Sequence, residues 1–398
     1  MAPQSKEILL RTILNVVLLF LTLAATLARP AAADTPYTLW TGTSPFPPVA
    51  AIPPVPGVTH HVIHEGETGA YQFLLGTALA FHEGTLWASW GNSLVDENDD
   101  GSIMGGRASR DGGTTWGPFQ IIAPGAPGPD SHSHGVFLNH NDELWAYAAR
   151  ADYIAGGKAY PKLRAEAYRL EDNAWVSKGI VAEGLFWPLT EPQPMKDGNY
   201  IMGGLIVDPE NGWPDAEGAV AISAGDDVTK WTPVEIPRVP GDKVWGETSL
   251  IVEDDLITAI VRYGSKAVAL VSFSEDFGKT WTTLRDSNLP NANSKPYAGT
   301  LSTGHWYALV NLENRDTLAI VIGEPGARTF SKVWTIRTGK SHVPRNPGGG
   351  KHPQWSYPYA VEHDGKLFVG YSISKEDCGL SVLPIENLIA PGVELSNE

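Results

Sequence analysis

The apolar and polar positions of this chain repeat with a long period. A turn carrying Gly or Asp, then a short aromatic or aliphatic run ending in small residues, occurs at 84–90, 142–147, 198–203, 255–260, 304–309 and 365–370. Each copy reads as one arm of a tight hairpin: the turn residue permits the reversal, and the run has the composition of a buried strand. Trp87, Trp145, Tyr200, Ile257, Tyr307 and Phe368 mark successive copies at a nearly even step, long enough for four antiparallel strands and their loops. No long amphipathic helix interrupts the series. The pattern therefore predicts an all-β propeller of four-stranded antiparallel blades. With 1–33 set aside, the stretch from Phe368 round to Trp87 across the two chain ends is longer than any step within the series. Seven blades are therefore expected, with six as the alternative.

A second repeat falls outside these hairpins. Ser109-Arg110-Asp111-Gly112-Gly113-Thr114-Thr115-Trp116 and Ser274-Glu275-Asp276-Phe277-Gly278-Lys279-Thr280-Trp281 share the pattern S-x-D-x-G-x-T-W, and a worn copy spans 223–231. The Ser and Asp can satisfy backbone groups of a tight turn, the Gly tolerates positive φ, and the Trp offers a large face to pack between sheets. This resembles the Asp box (BNR repeat) of sialidase-like propellers. The motif lies in turns remote from the axis, on catalytic and non-catalytic members alike, so it implies fold and no catalytic role.

The N-terminus changes the setting. Lys6 and Arg11 precede a mostly apolar stretch over 13–27, and Ala31-Ala32-Ala33 offers small residues for cleavage, which reads as a signal peptide over 1–33 and one mature propeller domain over 34–398. About fifteen apolar residues fall short of the roughly twenty that span a bilayer, so no membrane span is expected after cleavage, and the protein is expected to be secreted or periplasmic. With the leader removed, the net charge moves from −16 to −18. That excludes a nucleic-acid partner and allows an anionic glycan only where a few cations make a local positive site. The single cysteine, Cys378, rules out internal disulfides. A monomer is expected.

Candidate chemistry clusters in a few segments. His132 and His134 stand two apart at the start of the second repeat's hairpin, and strict alternation would put them on one face. They suit acid/base work, ligation of a metal with a third partner, or capping of the preceding loop. A sialidase proper would add an arginine triad for the substrate carboxylate, a Tyr/Glu nucleophile pair and an early Arg-Ile-Pro. No Arg-Ile-Pro occurs, and before the first Asp box the mature chain offers only Arg107.

The run from His132 to Trp145, together with Trp245-Gly246-Glu247-Thr248-Ser249, Val261-Arg262-Tyr263, the segment 287–299 and Tyr357-Pro358-Tyr359-Ala360-Val361-Glu362, is similar to the rhamnose–glucuronate lyases, the ulvan lyases and related α-L-rhamnosidases. The resemblance implies a polysaccharide lyase acting on a uronate-containing polysaccharide or oligosaccharide, which removes the C5 proton and expels the sugar at O4. Such a reaction needs a base, an acid and neutralisation of the carboxylate. The resemblance puts His134 in the acid/base place and Arg262 with Asn293 in the neutralising place. Tyr297 and Tyr263 are candidates for the second proton carrier. His132, Arg150 and Glu247 are substrate-binding candidates, Glu247 being equally a salt-bridge partner for Arg262. Tyr153 stands near the place where ulvan lyases carry a second histidine. The alternatives are an exo-acting glycosidase on the same scaffold, α-L-rhamnosidase before sialidase, for which His60, His61 and His64 are candidates, and a non-catalytic glycan-binding propeller.

Carboxylate spacing does not single out a hydrolytic pair among Glu97, Glu191, Glu247 and Glu362. The resemblance also allows a structural Ca2+. The acidic loop of Asp96, Glu97, Asp99 and Asp100 lacks EF-hand spacing and reads as a solvated turn.

Overall fold

The computed structural model describes residues 35–97, 99–125, 130–151, 162–207 and 216–390; the expected leader and Tyr153 lie outside them. Strand β1 (Thr59–Glu65) precedes the first blade, which consists of β2 (Phe73–His82), β3 (Thr85–Ser93), β4 (Ile103–Ser109) and β5 (Gln120–Ala123). Blade two is β6 (Ser131–His140), β7 (Glu143–Ala151), β8 (Arg164–Glu171) and β9 (Ala174–Ala182). Blade three has an inner strand in two pieces, β10 (Phe186–Pro188) and β11 (Gln193–Pro194), followed by β12 (Tyr200–Val207), β13 (Ala216–Ala224) and β14 (Asp227–Glu235). Blade four is β15 (Val244–Val252), β16 (Ile257–Tyr263), β17 (Val268–Ser274) and β18 (Arg285–Pro290). Blade five is β19 (Tyr297–Thr300), β20 (Trp306–Leu312), β21 (Thr317–Gly323) and β22 (Lys332–Arg337). Blade six takes β23 (Trp355–His363), β24 (Lys366–Ile373) and β25 (Asp377–Pro384), with a short helix α1 (Ile385–Ile389) behind it.

All the repeated hairpins of the sequence feed the second strand of a blade: Trp87 lies in β3, Trp145 in β7, Tyr200 in β12, Ile257 in β16, Tyr307 in β20 and Phe368 in β24. These strands are nearly continuous apolar runs because neighbouring blades cover both faces; β16 and β20 are buried from end to end. The outermost strand β9 keeps only Val181 and Ala182 buried.

Among the described residues the ring has six blades, so the expectation of seven is corrected to the alternative. The surplus at the chain ends does not form a blade. Strand β1, which comes from it, pairs antiparallel with β25 as the outermost strand of blade six, joining the two ends of the chain in one sheet. Residues 37–58 run along blades four and five instead, touching them through single bridges Tyr37–Ser287, Trp40–Phe330 and Pro54–Thr335. The prolines within 37–58 (Pro45, Pro47, Pro48, Pro53, Pro54 and Pro56) remove the donors that a four-stranded sheet requires. Among the described residues no helix is long and apolar enough to cross a membrane.

The Asp boxes turn between the third and fourth strands of blades one and four. Ser109 Oγ donates to Asp111 (2.8 Å) and accepts from the Gly113 N–H (2.8 Å), Asp111 accepts from the Thr115 N–H (2.9 Å), and Trp116 Nε1 donates to the Gly113 carbonyl (3.1 Å). The box around Asp276 repeats the pattern with Ser274, Gly278, Thr280 and Trp281. Each glycine faces the preceding blade: a Cβ on Gly113 would lie 2.2 Å from Leu380 of blade six, and one on Gly278 would lie 2.6 Å from Ile201 of blade three. Gly113→Ala should therefore lose about 1–3 kcal/mol of stability through positive φ and overpacking together. Gly225→Ala, in the worn copy at φ +65° with nothing within 4 Å, should lose about 1 kcal/mol from φ alone. Urea denaturation of both variants distinguishes a steric contact between blades from a local turn preference.

Candidate active site

The inner strands all run in one direction, from a front mouth where β2, β6, β15 and β23 begin to a rear mouth where the Gly/Asp turns lead into the second strands. Just inside the front mouth these four strands carry a bulge at the same level. Gly76 and Thr77 oppose one residue of β3, Ser133 and His134 one residue of β7, Trp245 to Glu247 only Arg262 of β16, and Tyr357 and Pro358 one residue of β24. A bulge breaks the two-residue period and re-aims side chains; here it delivers His134, Glu247 and Tyr357 to one place. Tyr357 has φ +55°, a left-handed conformation that costs a non-glycine residue about 1–2 kcal/mol. Gly76, at φ +69°, is required because a Cβ there would lie 2.2 Å from the His134 ring.

Arg262 is the hub. Its Nη1 lies 2.7 Å from Glu247 Oε2 and 3.3 Å from the Tyr357 hydroxyl, its Nε donates to Asn293 Oδ1 (3.0 Å), and its guanidinium lies over the Trp245 ring at 4.6 Å. Arg315, from the turn Glu313–Arg315 between β20 and β21, donates to the Asn293 carbonyl (2.6 Å) and to Gln354 (3.0 Å), and stands over the Tyr357 ring at 6.0 Å. From the β24–β25 turn, Lys375 pairs with Glu97 of the β3–β4 loop (2.8 Å) and lies 5.5 Å from the Phe73 ring. The His134 ring packs between Trp187 (5.1 Å) and Tyr357 (6.0 Å). Its Nδ1 meets Ser133 Oγ at 3.2 Å, while Nε2 is buried with no partner among the described residues.

The cations prevail here: Arg262, Arg315, Lys375 and the deeper Lys295, whose Nζ donates to the Pro358 carbonyl, stand against Glu247 and Glu97. Burial works against the Arg262 cation, but Glu247 and Tyr357 hold it above its ordinary value. Burial, then Arg262, lowers Arg315. Burial also lowers Lys295, to about 8, against the opposing pull of Glu247 and Glu191. Burial favours protonated Glu97, yet the charge and hydrogen bond of Lys375, with Arg262 and His134, bring it below the usual carboxylate range. Burial and then Lys295 push His134 down to about 3, so its imidazole is neutral. Burial, Glu247 and Glu97 drive the Tyr357 hydroxyl far up, so it stays protonated. A local excess of cations in a chain of net charge −16 suits an anionic ligand.

Of the residues singled out in the sequence, His134, Arg262, Asn293, Glu247 and Glu97 meet at this mouth; the other described ones lie elsewhere. His132 and His134 do not share a face, because the bulge between them interrupts the alternation. His132 Nε2 lies 3.1 Å from Glu166 and 3.1 Å from the Tyr168 hydroxyl; Arg150 bridges Glu166 (3.0 Å) and Asp130, lining a separate cleft of about 360 Å3 with Trp175 and Ser177. Tyr263 follows Arg262 but alternates to the other side, into a core with Val244 and Leu284. Tyr297 lies deeper along the axis, its hydroxyl 2.6 Å from Glu191 and 2.9 Å from the Ala360 carbonyl. His60, His61 and His64 lie on β1, the outermost strand of blade six, with His64 stacked on Trp90 (5.1 Å). Sequence reasoning missed Arg315, Lys375 and the part played by Tyr357. The first two were within reach, since the turn after each repeated second strand returns to the front mouth.

The clustered carboxylates among the described residues do not suit a calcium ion. Among the described residues, the one group with ligand atoms close enough is His342, Glu376 and Asp377. Arg345 pairs with Asp377 and lies 3.7 Å from Glu376, and Lys351 lies 3.7 Å from Glu376, so protein cations already supply the charge an ion would bring. In the acidic loop, Asp99 accepts the Val95 (2.6 Å) and Asp96 (2.7 Å) N–H groups, closing the turn with its own carboxylate.

Arg262 and Glu247 are 5% and 3% exposed. Glu247→Ala, which strands the guanidinium, should cost about 3–5 kcal/mol, whereas the Glu247→Met/Arg262→Met double variant should lose less; chemical denaturation of the three proteins checks the order. The His134 value of about 3 lies below its unfolded 6.5. Its neutral burial therefore favours the fold fully above about pH 6.5, and that stability is lost as pH falls toward 3. His134→Gln should flatten the acid limb of a stability–pH profile.

A family model described as "BNR repeat-like domain" matches residues 84–369. A search of curated proteins finds no match. Among solved structures, the chain is similar to a Hadza microbial sialidase (13% identity, TM-score 0.65, covering 83% of this chain and 69% of that one). It is also similar to a protein of unknown function from Dyadobacter fermentans (14%, 0.63, 82% and 99%). A third is the Trypanosoma rangeli sialidase in complex with 2,3-difluorosialic acid, a covalent intermediate (14%, 0.62, 85% and 60%). At such identities the likeness is one of fold. The family match spans most of the chain and agrees with the Asp boxes and the ring of blades: this protein belongs to the BNR repeat-like family and is a sialidase-like β-propeller.

Proposed function

We propose that this protein is a glycoside hydrolase that acts at the front mouth on a sugar bearing a carboxylate at or beside its anomeric carbon. The observation that carries this reading is the placing of the Tyr357 hydroxyl and the Glu247 carboxylate on the same Nη1 of Arg262, at 3.3 and 2.7 Å. A carboxylate on the substrate repels an anionic nucleophile, whereas a neutral tyrosine does not meet that barrier. Because Tyr357 is held protonated, it needs a base as it attacks, and Glu247 is the carboxylate beside it. In this scheme the tyrosine oxygen bonds to the anomeric carbon, its proton passes to Glu247, and the bond to the leaving oxygen breaks as Glu97 protonates that oxygen. Water then displaces the tyrosine. Arg262 and Arg315 hold the substrate carboxylate. The trypanosomal sialidase of like fold is recorded as a covalent intermediate, which supports the two-step order.

A second reading, β-elimination on a uronate, is favoured by His134. Its neutral ring with a bare Nε2 can accept the C5 proton, Arg262 with Asn293 neutralises the carboxylate, and protonated Tyr357 supplies the leaving oxygen with its proton. In either reading the leader-like residues 1–33 support action outside the cytoplasm.

Incubation with sialosides and with uronate polysaccharides, gum arabic among them, separates the readings by product. Hydrolysis should release reducing sugar without ultraviolet absorbance and fall at least 100-fold in Tyr357→Phe. Rising absorbance abolished by His134→Ala would replace hydrolysis with elimination, and no product from any glycan would leave a binding propeller. Glu97 must be protonated to act as acid and Lys375 lowers its pKa, so activity should rise toward acid pH; Lys375→Met should move the pH optimum upward, read from a kcat/KM profile.

A further inference from the structure

We propose that the rear mouth of the propeller is a second carbohydrate-binding site, one that takes a neutral, hydroxyl-rich sugar, built around Glu191, Tyr307 and Tyr359. A cavity of about 570 Å3 opens there, a size that accommodates a mono- or disaccharide. It is distinct from the front site: along β23, Tyr357 faces the front and Glu362 lines the rear cavity, about 16 Å further at strand rise.

Three features point to a sugar. First, the inner strand of blade three is interrupted between β10 and β11, where residues 189–192 bulge opposite Met202 and Gly203, with the Leu189 and Thr190 N–H groups sharing the Gly203 carbonyl. This brings Glu191 to the cavity, where its carboxylate lies 2.6 Å from the Tyr297 hydroxyl. Burial raises the Glu191 pKa against the hydrogen bonds of Tyr297 and Tyr359, and its two oxygens can engage a pair of ligand hydroxyls. Second, Tyr359, 2% exposed, lines the same cavity, and its hydroxyl, beside Glu191, has no hydrogen-bond partner of acceptable geometry among the described residues. A buried phenol whose hydrogen bond to Glu191 is poorly aligned stands to gain from a well-placed ligand hydroxyl. Third, the lining is also aromatic: Phe81, stacked on His363 at 3.9 Å with 15° between the rings, with Tyr200 and Tyr307, rings of the kind on which the C–H face of a pyranose packs. Among the described residues no lysine or arginine lines the cavity, so a carboxylated sugar is disfavoured here, the reverse of the front mouth.

The test is saturation-transfer difference NMR of the full chain with L-rhamnose, D-galactose, D-glucose, D-mannose and maltose. At least one sugar should give a signal in the parent protein and in Arg262→Met, and its affinity should fall at least tenfold in Glu191→Ala and in Tyr359→Phe. Tyr359→Phe removes a single oxygen with no well-aligned hydrogen bond and should keep the parent near-ultraviolet circular dichroism, so it decides the matter if Glu191→Ala folds poorly. The proposal is overturned if no sugar of the panel binds, if binding survives both rear variants, or if Arg262→Met abolishes it. None of these outcomes bears on hydrolysis at the front mouth, which is read from products and from Tyr357.

Discussion

The inner strands of the blades converge on one axis, and a regular strand there would alternate its side chains toward the two neighbouring blades. The bulges at one level of β2, β6, β15 and β23 relieve that constraint. Extra residues inserted opposite a single partner turn polar side chains out of the blade-to-blade packing. The four sheets keep their register above and below, so apolar contacts hold the bulged residues in place and sustain strained positions such as Tyr357. The site is thus a defect of the sheets repeated round the ring, stabilised by the regular structure on both sides of it.

What the bulges deliver is a set of charges that could not be buried singly. Arg262 satisfies Glu247, Asn293 and Tyr357 at once, and the last two also contact Arg315. Such a network confers rigidity more than net stability, because desolvation offsets much of the Coulombic gain. Its effect is to set protonation states: neutral His134, protonated Tyr357 and ionised Glu97 lie within one another's fields, each displaced by burial and by its neighbours in a different balance. Perturbed titrating groups gathered in one concave place mark a functional site.

The fold was largely legible in the sequence. The repeated hairpins appear as the second strands of the blades because those strands, covered on both faces, must be apolar throughout, and the Asp boxes appear because their turn chemistry is local. Blade number was misread since the combined length of the two chain ends was counted as capacity for a sheet, while the prolines in the N-terminal part left room for one strand and a strap. The site was half legible. His134, Arg262, Asn293 and Glu247, taken from the segments that carry the resemblance, lie together at the front mouth; alternation misled at His132, where a bulge reverses the facing, and the depth and side of Tyr263 and Tyr297 follow from register, which those segments do not give. Arg315 and Lys375 lie in short turns with no motif, and only the direction of the strands shows that those turns belong to the front mouth.

The two ends of the axis differ in a way that follows from blade construction. Front loops join second to third strands and vary freely, so they bring cations from blades five and six to Arg262. Rear turns join first to second strands and are held short by the repeat, so the rear mouth takes its character from the inner strands themselves: aromatic residues, tyrosine hydroxyls and the Glu191 carboxyl that the break between β10 and β11 releases. Lys295 stands between them, over the rings of Tyr297 and Tyr359 and within the fields of both Glu247 and Glu191. Burial weakens its charge while each carboxylate restores part of it, so the protonation of Lys295 is balanced between the two mouths. Lys295 in turn lowers His134, so the protonation state at the front mouth is set in part from within the axis, beyond the residues that line that mouth.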